Sequence, residues 1–175
     1  KDVQALIHTA EEQGSTMDIV RAADRVNDKQ KTVIFDKVMA RYGDIQGKTF
    51  ALWGLSFKPR TDDVREAPAG YLIQKLTAAG ATVVAYDPIA SESAQKHFTA
   101  DFRVAESAVA ACQNADALLI VTEWNEFRNP DFQAIIKALK ENVVFDGRNA
   151  LNPKDVIKYG FEYHCVGRQA LFREV

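Results

Sequence analysis

The sequence predicts an α/β chain in which a helical region precedes a doubly wound parallel sheet, and three observations carry that prediction. The run Lys48-Thr49-Phe50-Ala51-Leu52-Trp53-Gly54-Leu55 is almost uninterrupted apolar, as expected of a strand covered on both faces by helices. From Gly47 onward strand-like and helix-like segments alternate, the pattern of a parallel sheet with crossover helices. Before Gly47 the apolar residues recur only at helical spacing. The expected units are therefore 1–46 and 47–175.

Taken in order, Asp2 to Gln13 reads as a short helix with Val3, Leu6, Ile7 and Ala10 on one face, stopped at Gln13-Gly14-Ser15-Thr16. A second helical pattern runs through Met17, Val20, Ala23, Val26, Val33, Ile34, Val38 and Met39 to about Tyr42, interrupted by Asn27-Asp28-Lys29-Gln30-Lys31. Its reach exceeds the mean helix of roughly 11–12 residues, so it bridges two globular units, pairs with a copy of itself, or lies along the surface of one domain. Strands are expected at Thr49 to Leu55, Ala81 to Tyr86, Phe102 to Val104, Ala117 to Thr122, Asn142 to Phe145 and Tyr163 to Val166. Helices are expected at Pro68 to Ala79, Ala90 to His97, Glu106 to Gln113 and Asp131 to Glu141. The chain has no internal repeat and no low-complexity tract.

Composition excludes several function classes. Lys and Arg number 22 against 24 Asp and Glu, and a net charge of -2 with mixed signs leaves no electrostatic footprint for nucleic acid or an acidic membrane. No apolar run is long enough for a bilayer, and no basic and apolar leader opens the chain, so a cytoplasmic protein is expected. The chain enters helix at Lys1-Asp2 without a Met, as a piece of a longer protein would. Cys112 and Cys165 have no metal-ligand spacing and sit in apolar contexts; both are expected as reduced, buried thiols, and no metal site is expected.

The chemistry concentrates in Gly54-Leu55-Ser56-Phe57-Lys58-Pro59-Arg60-Thr61-Asp62-Asp63-Val64-Arg65-Glu66-Ala67-Pro68, directly after the apolar strand, at the edge where open α/β sheets bind ligands. A dinucleotide cradle needs several glycines there so that backbone can approach a pyrophosphate. Only Gly54 is present, so NAD is not expected in the usual cradle. Asp87 ends the second strand, where that fold carries a ribose-binding acid, but Pro88 follows and Asp87 is expected only to start a turn. Lys58 supplies a point charge suited to phosphate, Arg65 a planar fork and Phe57 a flat apolar surface. Pro68 suits the first position of a helix whose free N–H groups face the same edge. The competing reading is a salt-bridged loop in which Arg60 and Arg65 pair with Asp62, Asp63 and Glu66.

This loop resembles the C-terminal-domain signature of the UDP-glucose 6-dehydrogenase family, within the UDP-glucose/GDP-mannose dehydrogenase superfamily. Ala85-Tyr86-Asp87-Pro88, the segment Ala115 to Phe127 containing Thr122-Glu123-Trp124-Asn125-Glu126-Phe127, and Val144-Phe145-Asp146-Gly147-Arg148-Asn149 follow in the family's order and spacing. Gly160-Phe161-Glu162-Tyr163 through Gly167-Arg168 is similar too, and Val26-Asn27 with Gln30 resembles the family's central helix. The likeness spans essentially the whole chain.

The resemblance implies a Rossmann-like UDP-sugar-binding domain behind a helical dimerisation region, in a homodimer. It implies an NAD-dependent oxidation of UDP-glucose to UDP-glucuronate in two hydride removals, through a cysteine thioester that water hydrolyses. Lys1-Asp2 look like the end of the motif that follows the nucleophilic cysteine, so Asp2 is implied as the carboxylate that activates water, a role compatible with a favourable helix N-terminal acid. Phe57 and Lys58 are implied to line the nucleotide sugar, Arg148 to reach its UDP portion, and Arg65 to extend toward NAD held mainly by an upstream domain. Glu123 and Trp124 are expected to serve packing and turn geometry. His8 and His97 are expected on helix surfaces and His164 in the last strand, none as a general base. Related GDP-mannose and UDP-N-acetylmannosamine dehydrogenases share the Phe-Lys region, and a non-catalytic nucleotide-binding or dimerisation module is the reading from another class.

Overall fold

The computed structural model describes residues 2–172, the side chain of Asp2 excepted. The chain divides into two compact units, Lys1–Val33 and Ile34–Val175. The first holds α1 (Asp2–Glu12) and the opening turns of α2 (Asp18–Tyr42). Gly14, at φ 73°, makes the turn between them, and Arg21 reaches back to pair with Glu11 and to donate to the Thr16 carbonyl at 2.6 Å. Three large apolar side chains of this unit stand in solvent: Leu6, Val26 and Ile19, the last 86% exposed.

In the second unit the end of α2 turns apolar inward, with Ile34 and Val38 buried. A six-stranded sheet follows, built from β1 (Thr49–Trp53), β2 (Thr82–Tyr86), β3 (Arg103–Val104), β4 (Ala117–Ile120), β5 (Val143–Asp146) and β6 (Glu162–Cys165). The five pairings between these strands are all parallel, and the order is β3-β2-β1-β4-β5-β6. This is the expected doubly wound, Rossmann-like sheet. Its helices are α3 (Pro68–Ala78), α4 (Ser91–His97), α5 (Ala108–Ala111), α6 (Asn125–Arg128), α7 (Phe132–Ala138) and α8 (Pro153–Lys158).

The continuous apolar run of β1 is explained by its central place, since alternate residues feed two cores. Phe50 and Leu52 pack with Val38, Leu72, Ile73 and Leu76 on one face. Ala51 and Trp53 pack with Phe127, Ile135, Val156 and Phe161 on the other. Ile34 and Val38 thus belong to the sheet's core, although the pattern to which they contribute runs on toward Met17.

Two helices lie outside the sequence expectations, α6 and α8. Each is too short to repeat an apolar period, but α8 had a legible start: Asn152 accepts from the Lys154 N–H and Pro153 takes the first turn. The helix expected over Glu106 to Gln113 shrinks to one turn, with Ser107 accepting from the Ala110 N–H at its start and Asn114 at φ 57° beyond its end. Among the described residues no helix is long and apolar enough to cross a membrane.

Candidate functional site

The carboxyl ends of β1 and β4 are neighbours, and the chain leaves β1 toward β2 on one side while β4 begins the other half of the sheet. That reversal is where open α/β sheets open a crevice. Gly54 stands at its floor with φ 94°, its N–H donating to the Tyr86 carbonyl at 2.8 Å. A Cβ on Gly54 would lie 2.4 Å from Thr122 Cβ and 2.8 Å from the Thr122 amide nitrogen, so no larger residue fits. Thr122 in turn donates its hydroxyl to the Ser56 carbonyl at 2.7 Å, tying the loop after β1 to the end of β4.

Asp87, at the end of β2, is 3% exposed and surrounded by donors. Its Oδ1 accepts from the amides of Ile89 at 3.0 Å and Ala90 at 2.8 Å, which is the turn anticipated from Asp87-Pro88. Its Oδ2 points the other way, into the crevice floor. There it accepts from the Leu55 amide at 2.8 Å, the Ser56 amide at 3.3 Å, the Ser56 hydroxyl at 3.2 Å and the Trp124 indole N–H at 3.0 Å. The role of turn starter was therefore only half of what Asp87 does.

Beyond this anchored floor the loop becomes exposed. Phe57 is 54% exposed, although its own amide donates to the Asp63 carbonyl at 2.9 Å. Lys58 is exposed and forms no ion pair among the described residues. Arg65 does form one: its Nε and Nη2 donate to the two carboxylate oxygens of Asp63, each at 2.8 Å. The salt-bridged reading of the loop thus holds for Arg65, which pairs with Asp63, while Arg60 forms no ion pair among the described residues. Arg65 also lines a shallow groove of 370 Å³ shared with Ser93, Lys96 and His97 of α4, and neither Lys58 nor Arg148 lines it. Downstream, Pro68 is the first residue of α3 and Ala67 offers no side-chain cap, leaving the positive end of the helix open.

A second buried acid organises the end of β5. Asp146 Oδ2 accepts from the Tyr163 hydroxyl at 2.8 Å and the Leu151 amide at 2.9 Å, while Oδ1 accepts from the Arg148 amide at 3.0 Å. Asn149, at φ 52°, exchanges two hydrogen bonds with the Val166 backbone and so closes the end of β6 against the same turn. The turn presents Arg148, whose Nε and Nη2 donate to Glu123 at 2.5 and 2.9 Å. The hydrogen bond from Arg148 holds the Glu123 carboxyl below its ordinary value despite partial burial, and the same bond raises the Arg148 guanidinium. Glu123 is thus an ion-pair partner rather than a residue of turn geometry alone.

These contacts gather the loop of Phe57 and Lys58 and the turn of Arg148 into one frame. Ser56 is bound by Asp87, Asp87 by Trp124, and Glu123 beside Trp124 by Arg148. Arg65 stands outside that chain of contacts. Asp2 opens α1, but its side chain, like Lys1, lies outside the described residues. His8 and His97 are exposed on α1 and α4, and His164 is buried in β6 against Phe145 with Nε2 2.6 Å from Glu162. Cys112 and Cys165 are free and buried. No cluster of metal-ligating side chains exists among the described residues.

The loop after β1 does not fit a dinucleotide. Its one glycine is packed against Thr122, and the Leu55 and Ser56 amides, which a pyrophosphate would need, already donate to Asp87.

Comparison with known proteins places this architecture. Residues 51–153 match the model of the UDP-glucose/GDP-mannose dehydrogenase family, UDP binding domain. The chain belongs to this family. Among curated UDP-glucose 6-dehydrogenases, that of Pseudomonas aeruginosa is 42% identical over 174 residues and that of Rhizobium meliloti 41% over 169 residues, each alignment covering 96% of this chain. The chain spans 38% of the length of these two relatives. Among solved structures, a UDP-glucose dehydrogenase from Pyrobaculum islandicum superposes with a TM-score of 0.75 at 30% identity, over 85% of this chain and 33% of that one. The matched residues run from within β1 to the first residue of α8, and hence include the entire frame from Ser56 to Arg148.

Proposed function

We propose that this chain is the UDP-sugar-binding portion of an NAD-dependent UDP-glucose 6-dehydrogenase, the parent protein oxidising UDP-glucose to UDP-glucuronate. The observation that carries this reading is the exposed Lys58, with no ion pair among the described residues, beside Phe57 at the sheet's carboxyl edge, on the same hydrogen-bonded frame as Arg148. Lys58 and Arg148 bind the diphosphate, and Phe57 lies against the sugar or base. Arg148 exchanges Glu123 for phosphate oxygens, or keeps one carboxylate oxygen while its fork reaches the ligand. NAD accepts hydride when bound by another part of the parent; the loop after β1 leaves it no cradle, and Arg65 reaches toward it from outside. Asp2 stands as the acid that activates water in the parent.

The N-terminal helices serve self-association. Exposed Ile19 and Val26 on the first half of α2 motivate a two-fold contact with a second copy, because an isologous pairing removes both from water twice over. Ile34 is unsuited to probing that contact, being a core residue of the α/β unit. Sedimentation is expected to show a dimer that charged replacements of Ile19 and Val26 weaken; a monomer at all concentrations refutes it.

Calorimetric titration of UDP tests the binding reading. Lys58→Ala and Arg148→Ala are each expected to cost about 1.5–3 kcal/mol, the worth of a charge-assisted hydrogen bond, while Arg65→Ala leaves UDP affinity unchanged. Equal affinity in all three variants refutes the assignment. The chain alone is expected to form no NADH from UDP-glucose.

A further inference from the structure

Asp87 occupies the position at which dinucleotide-binding sheets present an acid to a ribose, yet both of its oxygens are consumed inside the protein. Among the described residues six donor groups face it: four on Oδ2 from Leu55, Ser56 and Trp124, two on Oδ1 from Ile89 and Ala90. Such a cage suits a carboxylate and nothing else of that size, since an asparagine would turn an NH2 toward donors on one side or the other. The donors come from the loops after three different strands, β1, β2 and β4. Two of those loops lead directly to the exposed cationic groups. Ser56 precedes Phe57 and Lys58 by covalent bonds, and Trp124 follows Glu123, which grips Arg148.

We infer that Asp87 is a positioning residue for nucleotide-sugar binding, its Oδ2 acting as the shared anchor that fixes the separation between Lys58 and Arg148. The inference rests on the binding role proposed above for those two cations. At the ribose-acid position, contact with a ligand has been exchanged for contact with the loops that hold one. The Trp124 indole is the strut between the two halves of the site, joining the Asp87 anchor to the Glu123–Arg148 pair. The Thr122 hydroxyl supplies a second, independent tie by binding the Ser56 carbonyl from the β4 side. Pre-set spacing of two cations matters because a diphosphate that must first order its own binding loop loses that cost from its affinity.

Trp124→Phe is the sharpest test, because it keeps an aromatic ring in the core and removes, with part of the indole, the N–H that reaches Asp87. UDP titrated into the variant is expected to bind about tenfold more weakly, as for loss of a hydrogen bond to a charged group. In a Lys58→Ala, Arg148→Ala background the same substitution is expected to change affinity by less than about twofold, since its effect passes through those cations. Asp87→Asn is expected to be weaker still in UDP binding. Should it fail to fold, Trp124→Phe and Ser56→Ala carry the test. If UDP binds the unmodified chain and Trp124→Phe equally well, the positioning role is overturned. If the unmodified chain binds no UDP, the proposed function fails instead, and the anchor is judged by hydrogen exchange. The Leu55 and Ser56 amides are then expected to exchange faster in Trp124→Phe than in the unmodified chain, and unchanged exchange overturns the inference.

Discussion

Glu123 and Arg148, on loops that leave neighbouring strands β4 and β5, are joined by two hydrogen bonds of 2.5 and 2.9 Å. The pair has a definite pH signature. Because Glu123 titrates below its ordinary value of about 4.3, the pair's contribution is complete above that value and fades as pH falls through the lower, folded one. Solvent reaches both side chains, which keeps the contribution to about 1 kcal/mol or less. A carboxyl-carbon titration by NMR is expected to place Glu123 below a free glutamate, and Arg148→Ala to move it upward. A Glu123 titration that ignores Arg148→Ala would show that the pair is absent in solution.

Gly54→Ala is expected to destabilise the fold by about 3 kcal/mol or more, combining overpacking with an unfavourable backbone region. The new Cβ meets Thr122 atoms at 2.4 to 2.8 Å at φ 94°. Gly160→Ala provides the control: its φ is 87° but nothing lies within 4 Å of the added Cβ, so only the backbone cost of about 1 kcal/mol remains. Denaturant unfolding of the two variants measures the difference, and equal losses contradict the close approach at Gly54.

Tyr163→Phe removes the buried hydroxyl that donates to Asp146 at 2.8 Å. The expected cost is about 1.5–3 kcal/mol, because the acceptor is a fully buried carboxylate oxygen that would lose its donor. Burial and the adjacent Asp146 both raise the Tyr163 phenol, so it stays protonated and keeps donating throughout the neutral and mildly alkaline range. A thermal melt within error of the unmodified chain would refute this.

The two thiols are expected to be inert in the folded chain. Burial pushes Cys112 up to about 12 and also raises Cys165, so the reactive thiolate is scarce at neutral pH. A colorimetric disulfide reagent at pH 8 should detect neither until denaturant is added. Rapid modification of either thiol in the native chain contradicts their burial.

Much of the fold was legible before any coordinates. An apolar period of two or a continuous apolar run marks a strand, and β1, β2, β4, β5 and β6 all fall within a residue or two of where their side chains predict them. Long helices with a repeated face were equally plain. The one-turn helix α6 and the six-residue α8 were not, because a helix that short never repeats its face.

The loop Gly54 to Pro68 could be picked out by residue chemistry, since cations and an aromatic after an apolar strand are visible in one dimension. The turn at Arg148 stood out only through the resemblance of Phe145-Asp146-Gly147-Arg148-Asn149 to the family's segment. Their connection was not legible. Glu123 and Arg148 are 25 positions apart, and Asp87 lies 31 from Ser56 and 37 from Trp124. Only the strand order, which sets β1 between β2 and β4 and places β5 beside β4, turns those separations into contact. Whether Arg65 bonds Asp63 was equally undecided in sequence, because several charges of both signs lie within reach along the loop. The sequence by itself determined which segments are strands, because that depends on local side-chain pattern. Tertiary structure decided which acid meets which donor, because hydrogen bonds are short-ranged and directional and form only after the sheet has brought distant strand ends together.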